Sequence, residues 1–366
     1  MSDKSICFFN SSKTWGGGEK WHYDMACGLN DRGFKPMALV GKNSALHHRI
    51  KTTGLTFYAL RISNFSFLNP LKILKIYKTL KREGIEIIII NLSEDVKVAG
   101  IAAKLAGIKH IIYRRGSAIP VRNSLPNRLI FKYLITDIIA NSEQTRRTIL
   151  QNNPGLFPMD KITVIYNGIS LEEPEPVNFE PIYQRQGDEI ILGNAGRLVP
   201  QKGQKYLIQI AKILKAKNIN FKLLIAGDGK LLNDLRQQAM DDGVSEDVLF
   251  LGFVENIKQF MKTIDIFVLT SLWEGFGYVL VEAMAAGKPV IAFDVSSNPE
   301  IVENNITGYL IPVTDIQGFV ERIALLSQNR SLKELMGTAG KKRSEIMFSI
   351  KASCENLVRF IDCFKN

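Results

Sequence analysis

The chain has 366 residues, 46% of them hydrophobic and 23% charged, which is the composition of a globular protein long enough for two α/β domains. The formal net charge of +11 lies wholly in the first half. Residues 1–170 carry 25 Lys and Arg against 11 Asp and Glu, whereas residues 171–366 carry 22 against 25. A basic half favours an anionic partner, whether a lipid surface, a phosphorylated acceptor or nucleic acid, although general solubility explains it as well.

The four cysteines follow no spacing typical of a disulfide framework or a zinc site. No segment reaches the roughly 18 apolar residues of a membrane span, and the start lacks the apolar stretch of a signal peptide. We therefore expect a cytoplasmic protein. Because the sequence has no aromatic RNA-binding motif and no zinc finger, nucleic acid is not an expected partner.

Short apolar runs alternate with amphipathic segments through the first half, and they predict strands at 6–9, 37–40, 85–90, 111–113, 138–140 and 162–166. Near-continuous runs such as IEIIII suit strands buried on both faces of a parallel sheet. The glycine-rich tract GGGEKW, residues 16–21, follows the first of these runs. Its glycines allow close approach to a phosphate and Lys20 adds charge, although a flexible turn is an equal interpretation. It is not the G-x-G-x-x-G fingerprint of NAD-binding proteins.

Three further features of the first half are candidates for a functional role, and each has a structural alternative. The tract NLSED, residues 91–95, ends a predicted strand, so that Glu94 or Asp95 would touch an acceptor or cap the next helix. Arg114 and Arg115 end another strand and would bind a phosphate or an anionic acceptor, or form an ordinary surface pair. Lysines 72, 75, 78 and 81 recur at helical spacing, which suits either a solvated helix face or docking on anionic lipid.

A polar, proline-containing stretch at 171–189 separates this first domain, 1–170, from a second alternation of strands and helices at 190–344. Strand-like runs occur there at 190–194, 221–226, 248–251, 266–269 and 290–293. An amphipathic helix at 345–366 closes the chain. The pattern predicts an α/β protein of two Rossmann-like, doubly wound domains that face each other across a cleft, with ligands at the carboxyl ends of the strands.

Two motifs of the second domain carry charge to such strand ends. In NAGRLVPQKG, residues 194–203, Arg197 and Lys202 flank a strand–helix turn with positive charge, and Gly196 and Gly203 allow close approach of the backbone. This arrangement suits either a diphosphate site or an ordinary charged turn. In SLWEGFGYVLVEAMAAG, residues 271–287, Glu274 precedes a helix that should start around 275–277, and Glu282 lies within that helix. The alternative to ligand binding is a structural role for both carboxylates, in which Glu274 caps the helix and Glu282 forms a salt bridge.

The E-x7-E spacing of Glu274 and Glu282, with GRLVPQKG upstream, resembles the retaining family-4 glycosyltransferases of GT-B fold. AGDG at 226–229, FLGFV at 250–254 and NGI at 167–169 stand in that family's order. The resemblance implies that Arg197, Lys202 and Glu274 are catalytic: the two cations bind the donor diphosphate, and Glu274 contacts the donor sugar. It implies that Glu282 binds the ribose and that the backbone near Phe253 and Val254 reads the base. The implied donor-binding set is completed by Gly17, Gly18, Gly196, Gly227, Gly275, Phe276 and Gly277.

The resemblance also frames the first domain, where the glycine loop would face the donor phosphates and the acceptor. Many relatives have a histidine after the fifth strand; Arg114, Arg115 and Gly116 stand there instead, and His110 is expected to be structural. The residues expected to bind the acceptor are Lys20, Glu94, Arg114 and Arg115; the two arginines depart from the family's pattern.

The residues together with the resemblance therefore imply a retaining, metal-independent glycosyltransferase that needs no cofactor. It would move sugar from a UDP- or GDP-sugar to a hydroxyl of a glycan or glycolipid acceptor, in bacterial lipopolysaccharide or envelope polysaccharide assembly. Peripheral contact with the inner face of the plasma membrane is part of this expectation. A nucleotide-sugar epimerase, a phosphorylase on the same fold and a non-catalytic sugar-nucleotide-binding protein are the alternatives.

Overall fold

Two α/β units make up the protein, as seen in a computed structural model that describes residues 4–171 and 180–364. The first unit runs to Gly168 and resumes at Ile350, and the second spans Ile169–Ser349. Most of the predicted linker, residues 172–179, lies outside the described residues.

A parallel sheet of seven strands, ordered β3-β2-β1-β4-β5-β6-β7, forms the centre of the first unit. The central strands β1, β4 and β6 consist almost entirely of buried residues, as expected for a sheet covered on both faces. The strands are β1 (Ser5–Asn10), β2 (Lys35–Gly41), β3 (Thr56–Leu60), β4 (Ile87–Ile90), β5 (His110–Arg115), β6 (Asp137–Ala140) and β7 (Ile162–Val164).

Helices cover both faces of this sheet. One face carries α3 (Pro70–Arg82), α4 (Ser93–Leu105), α5 (Leu125–Tyr133) and α6 (Glu143–Leu150). The other carries α1 (Gly17–Asn30), α2 (Ala45–Ile50) and α14 (Ile350–Asp362). The last helix belongs to the first unit because Cys354, Leu357 and Ile361 are buried against the side chains of α1 and the sheet.

The second unit repeats this design with six parallel strands in the order β10-β9-β8-β11-β12-β13. The strands are β8 (Ile190–Ala195), β9 (Phe221–Ala226), β10 (Val248–Gly252), β11 (Ile266–Leu269), β12 (Val290–Phe293) and β13 (Gly308–Ile311). The helices are α7 (Gln204–Ala216), α8 (Leu232–Asp241), α9 (Ile257–Thr263), α10 (Tyr278–Ala285), α11 (Asn298–Ile301), α12 (Ile316–Gln328) and α13 (Arg330–Met347). Helix α13 ends before Phe348, so the segment predicted as one helix over 345–366 is divided between the two units.

The prediction of an α/β fold with two parallel sheets is confirmed, and each apolar run named above overlaps a strand, although β4 begins only at Ile87 and β7 ends at Val164. Two strands were missed, β3 and β13, and each lies at the edge of its sheet. An edge strand is covered on fewer sides, so its sequence need not be a continuous apolar run. Strand β3 is only half-buried or exposed along its length, and β13 begins with a glycine.

Candidate active site

The loops that carry the predicted donor residues lie together at the carboxyl edge of the second sheet. The strand order reverses between β8 and β11, which is where doubly wound sheets bind their ligands. The loop after β8 holds Arg197 and Lys202, and the loop after β11 holds Glu274. Backbone bonds join the two loops, since the Leu272 N–H donates to the Gln201 carbonyl at 2.8 Å.

Lys202 and Glu274 form a direct ion pair at the centre of this edge, with 2.6 Å between Nζ and Oε1. Both side chains are largely removed from solvent, with 15% of the lysine and 7% of the glutamate side chain exposed. One cation and one carboxylate, both largely shielded from water, therefore lie where the strand order reverses between β8 and β11. Arg197 is exposed on the same loop as Lys202 and adds a second positive charge.

Glycines allow these loops to approach one another. Gly203 has a left-handed backbone with φ of 63°, and a Cβ there would overlap the Thr270 carbonyl. Gly227, after β9, has φ of 138°, and a Cβ there would overlap the carbonyl of Gly196. No other residue type fits either position without moving the backbone, because both conditions, space and φ, exclude a side chain.

Helix α10 begins beside the ion pair. Gly277 is its N-cap, with φ of 77°, and the buried Phe276 packs edge-on against Tyr278 at 5.3 Å between ring centroids. Glu274 stands upstream of this N-cap, so the alternative that it caps the helix is wrong. Glu282 lies half-buried on α10. The geometry places the positive end of a helix dipole at the same edge as Lys202.

The loop after β10 borders the site on the other side. Gly227 donates its N–H to the Gly252 carbonyl at 2.6 Å, which ties this loop to the one after β9. Phe253 follows at once and is 82% exposed, whereas Val254 is half-buried. An aromatic ring held in solvent at a ligand edge is available to contact a flat ligand group.

The first unit has its own polar network at the corresponding edge, where the strand order reverses between β1 and β4. The Arg114 guanidinium donates to Asn167 Oδ1 at 2.7 Å and to Asn91 Oδ1 at 3.1 Å. Asn10 and Asn91 each donate to the buried Glu19 carboxylate, at 3.3 Å and 3.5 Å. One chain of hydrogen bonds thus links the ends of β1, β4 and β5 with the segment after β7.

The two arginines after β5 have different surroundings. Arg114 is 2% exposed and lies 5.1 Å from the centre of the Trp21 ring, so its interpretation as a surface charge is wrong. Arg115 is half-buried and donates to the Ile119 carbonyl of its own loop. The neighbouring His22 is fully buried; burial first, and then the charge of Arg114, holds its pKa well below the usual value. Burial therefore favours the neutral form of His22 in the folded protein.

The acidic tract after β4 lies next to the glycine loop. Asp95 is fully buried and accepts hydrogen bonds from the Ser11 N–H at 2.9 Å and the Ser11 hydroxyl at 2.5 Å. Burial raises the pKa of Asp95 to about 7, against the lowering effect of the Ser11 bonds. Helix α4 begins at Ser93, so neither Glu94 nor Asp95 is its N-cap, and that alternative is wrong.

The remaining predicted residues of the first unit lie on or beside α1. Gly17 begins the helix, and a Cβ at Gly18 would contact the Asn91 amide. Lys20 is paired with Asp24 at 2.8 Å. His110 stacks on Phe364 with 3.9 Å between ring centroids and faces Asp137, a structural position away from the carboxyl edge.

The asparagines of the first unit were not recognised as site residues from sequence. Asn10, Asn91 and Asn167 each follow an apolar run, in FFN, IIIIN and IYN. An amide at the end of a buried strand must find partners, because burying an unpaired polar group is costly. That repeated pattern was a usable signal of a polar network at one sheet edge.

The described part of the chain, residues 4–171 and 180–364, has neither a metal-binding cluster nor a membrane-spanning helix. They contain no group of three His, Cys, Asp or Glu side chains placed to hold a metal ion. None of their helices is both long and apolar enough to cross a membrane.

Comparison with known proteins matches both halves of the chain. Residues 178–343 match the family model of glycosyl transferases group 1, and residues 15–173 match that of glycosyltransferase family 4. The UDP-Gal:alpha-D-GlcNAc-diphosphoundecaprenol alpha-1,3-galactosyltransferase of Escherichia coli is 31% identical over 287 residues, which cover 74% of this chain and 73% of that protein. The chain belongs to this glycosyltransferase family.

Other relatives place this glycosyltransferase in context. The capsular polysaccharide biosynthesis glycosyltransferase CapM of Staphylococcus aureus is 32% identical over 243 residues, which cover 64% of this chain and 63% of that protein. HepE of Anabaena, crystallised with UDP, has a TM-score of 0.86 at 22% identity, covering 98% of this chain and 100% of that one. The glycosyltransferase therefore has the GT-B fold and is related to enzymes of bacterial envelope polysaccharide assembly.

Proposed function

We propose that this glycosyltransferase transfers a sugar, with retention of anomeric configuration and without a metal ion, from a UDP- or GDP-sugar to a hydroxyl of a glycan or glycolipid acceptor. The observation that supports it best is the Lys202–Glu274 pair at the strand switch of the second unit. The pair lies beside the exposed Arg197 and the start of α10.

The chemistry follows from these charges. When the bond between the sugar and the diphosphate breaks, the leaving nucleotide gains negative charge. Lys202, Arg197 and the helix start are aimed at that charge, and such fixed positive groups lower the barrier most in a site that excludes water. An oxocarbenium-like transition state is expected at the anomeric carbon.

Glu274 has a double role in this proposal. In the structure its carboxylate neutralises Lys202 at 2.6 Å. A bound diphosphate offers the ammonium a second anion, which leaves carboxylate lone pairs for the hydroxyls of the donor sugar. Glu282 would accept hydrogen bonds from the ribose, and the backbone at Phe253 and Val254 would read the base.

The names of two related proteins support the donor and acceptor classes. The Escherichia coli relative is named for UDP-Gal and for a lipid diphosphate acceptor, and HepE was crystallised with UDP. For this chain we accordingly propose a nucleoside diphosphate sugar and an envelope glycan or glycolipid, in polysaccharide or lipopolysaccharide assembly.

The test is transfer in the presence of EDTA. The purified protein is incubated with UDP- and GDP-sugars and lipid-linked glycan acceptors, and the anomeric configuration of the product is read by NMR. An α-linked donor is expected to give an α-linked product at a rate that EDTA leaves unchanged. An inverted product would refute retention; loss of transfer with EDTA would refute metal independence. Conversion of the donor without any glycosylated product would instead favour an epimerase or a phosphorylase.

A further inference from the structure

The first unit exposes a group of large apolar side chains, which we call the apolar rim. It consists of Phe65, Leu68, Leu71, Leu74, Leu125 and Leu129, which are between 45% and 75% exposed. Single exposed leucines are ordinary, but a series on consecutive turns of two segments is not. Removing each of these side chains from water by binding to a partner would be favourable.

The apolar rim lies at the ligand edge of the first sheet. Helices α3 and α5 follow strands β3 and β5, and a helix after a parallel strand starts at that strand's carboxyl end. The rim residues occupy the segment before α3 and the beginnings of both helices. The two helices cover the same sheet face, with α4 between them, since α3 packs on α4 and Gly100 of α4 adjoins Leu134 after α5.

The charge around the apolar rim is mainly positive, although Glu94 lies half-buried at the start of α4, between α3 and α5. Residues 61–82 and 96–136 contain no Asp or Glu at all, yet they contain six and eight Lys or Arg. The exposed cations beside the rim are Lys75, Lys78, Arg122, Arg128 and Lys132. A second copy of the chain would bring the same positive charge to this surface, and like charges across an interface oppose association.

An occupant of this surface must therefore offer apolar groups and negative charge together over an extended area. An anionic bilayer does so, because its phosphates lie directly above its acyl chains. We propose that the apolar rim and its neighbouring cations dock the first unit on an anionic lipid surface, with the rim side chains in the headgroup region. The carboxyl edge of the sheet, with the glycine loop at Gly17 and Gly18, then faces the source of a lipid-borne acceptor.

Docking is measured by flotation of the full-length protein with vesicles of phosphatidylcholine alone or mixed with phosphatidylglycerol. We expect binding to the mixed vesicles, weakened by salt, and little binding to the neutral ones. Lys75→Gln and Lys78→Gln should each lower the binding constant about fivefold. The double variant Leu71→Ser/Leu125→Ser should lower it at least about tenfold, since two buried leucines are lost.

Leu105→Ser is the matched control, because Leu105 is 64% exposed on the same unit but ends α4, away from the carboxyl edge. It should bind vesicles like the original protein. Two results would overturn the proposal: no flotation with anionic vesicles at low salt, or equal loss of binding in the control and the rim variants. Hydrolysis of the nucleotide sugar in the absence of lipid tests the proposed function separately, and the rim variants should leave it unchanged.

Discussion

Replacing Lys202 by methionine separates the catalytic role of this residue from its structural role. The substitution keeps much of the side-chain volume but leaves the Glu274 carboxylate, 7% exposed, without its cation at 2.6 Å. Breaking a fully buried pair costs about 3–5 kcal/mol. Since 15% of the Lys202 side chain reaches solvent, water enters the gap, and we expect a loss of about 2 kcal/mol.

A second substitution removes the unpaired charge. In Lys202→Met/Glu274→Gln the neutral amide takes the place of the carboxylate, so most of the lost stability should return. Turnover should not return, because the cation that stabilises the leaving diphosphate is still absent. Both variants should be slower than the original protein by about two to three orders of magnitude, the range for one lost transition-state donor.

The measurements are urea unfolding, followed through the transition of the second unit, and the initial rate of transfer. Lys212→Met is the control, because Lys212 forms a pair with Asp242 on the same unit but is 60% exposed; it should cost less than about 0.5 kcal/mol. If the double variant regains normal turnover, Lys202 acts only through the fold. If the single variant is as stable as the original, the pairing argument fails.

Three further predictions concern the loops and the buried groups. Gly203→Ala should lower the free energy of unfolding by more than about 2 kcal/mol, because both the positive φ and the nearby Thr270 carbonyl oppose a side chain. Gly243→Ala, also at positive φ but with free space for a Cβ, should lower it by only about 1 kcal/mol. Urea unfolding measures both, and equal losses would contradict the role of close approach. Arg114→Lys should lower the stability of the first unit by about 1–2 kcal/mol, because an ammonium cannot bridge two amides as the planar guanidinium does; unchanged urea unfolding would contradict this. Burial raises the pKa of Asp95 to about 7 from 3.8, so the folded protein holds a proton that the unfolded chain releases, and stability should fall as pH rises through that window. Asp95→Asn should flatten this dependence, and an unchanged slope of unfolding free energy against pH would refute it.

The sequence was sufficient for the buried parts of the fold. Runs such as IEIIII identify central strands because a strand covered on both faces must be apolar throughout. Strand β3 escaped because it is only half-buried or exposed along its length. Strand β13 is largely buried, but it is four residues long and begins with a glycine, so it contains no long apolar run. The same strand-end reasoning brought Lys202 and Glu274 to one sheet edge, and the structure places them in contact.

The contacts of individual side chains were beyond such reasoning. Arg114 and Arg115 are adjacent in sequence and looked equivalent, but successive side chains of a strand point to opposite faces. One is therefore buried with Asn91 and Asn167, and the other contacts its own loop. That choice depends on residues far away in sequence, which periodicity does not reveal.

The central claim, that the second unit binds a nucleoside diphosphate sugar at the Lys202–Glu274 pair, is tested most directly by donor binding. Thermal shifts and slow hydrolysis are measured for UDP-, GDP- and ADP-sugars with and without EDTA, on the original protein and on Lys202→Met/Glu274→Gln. We predict that one nucleotide class stabilises and is hydrolysed by the original protein, regardless of EDTA, and that the double variant loses both effects. Stabilisation by no nucleotide sugar, or equal stabilisation of the double variant, would contradict the account.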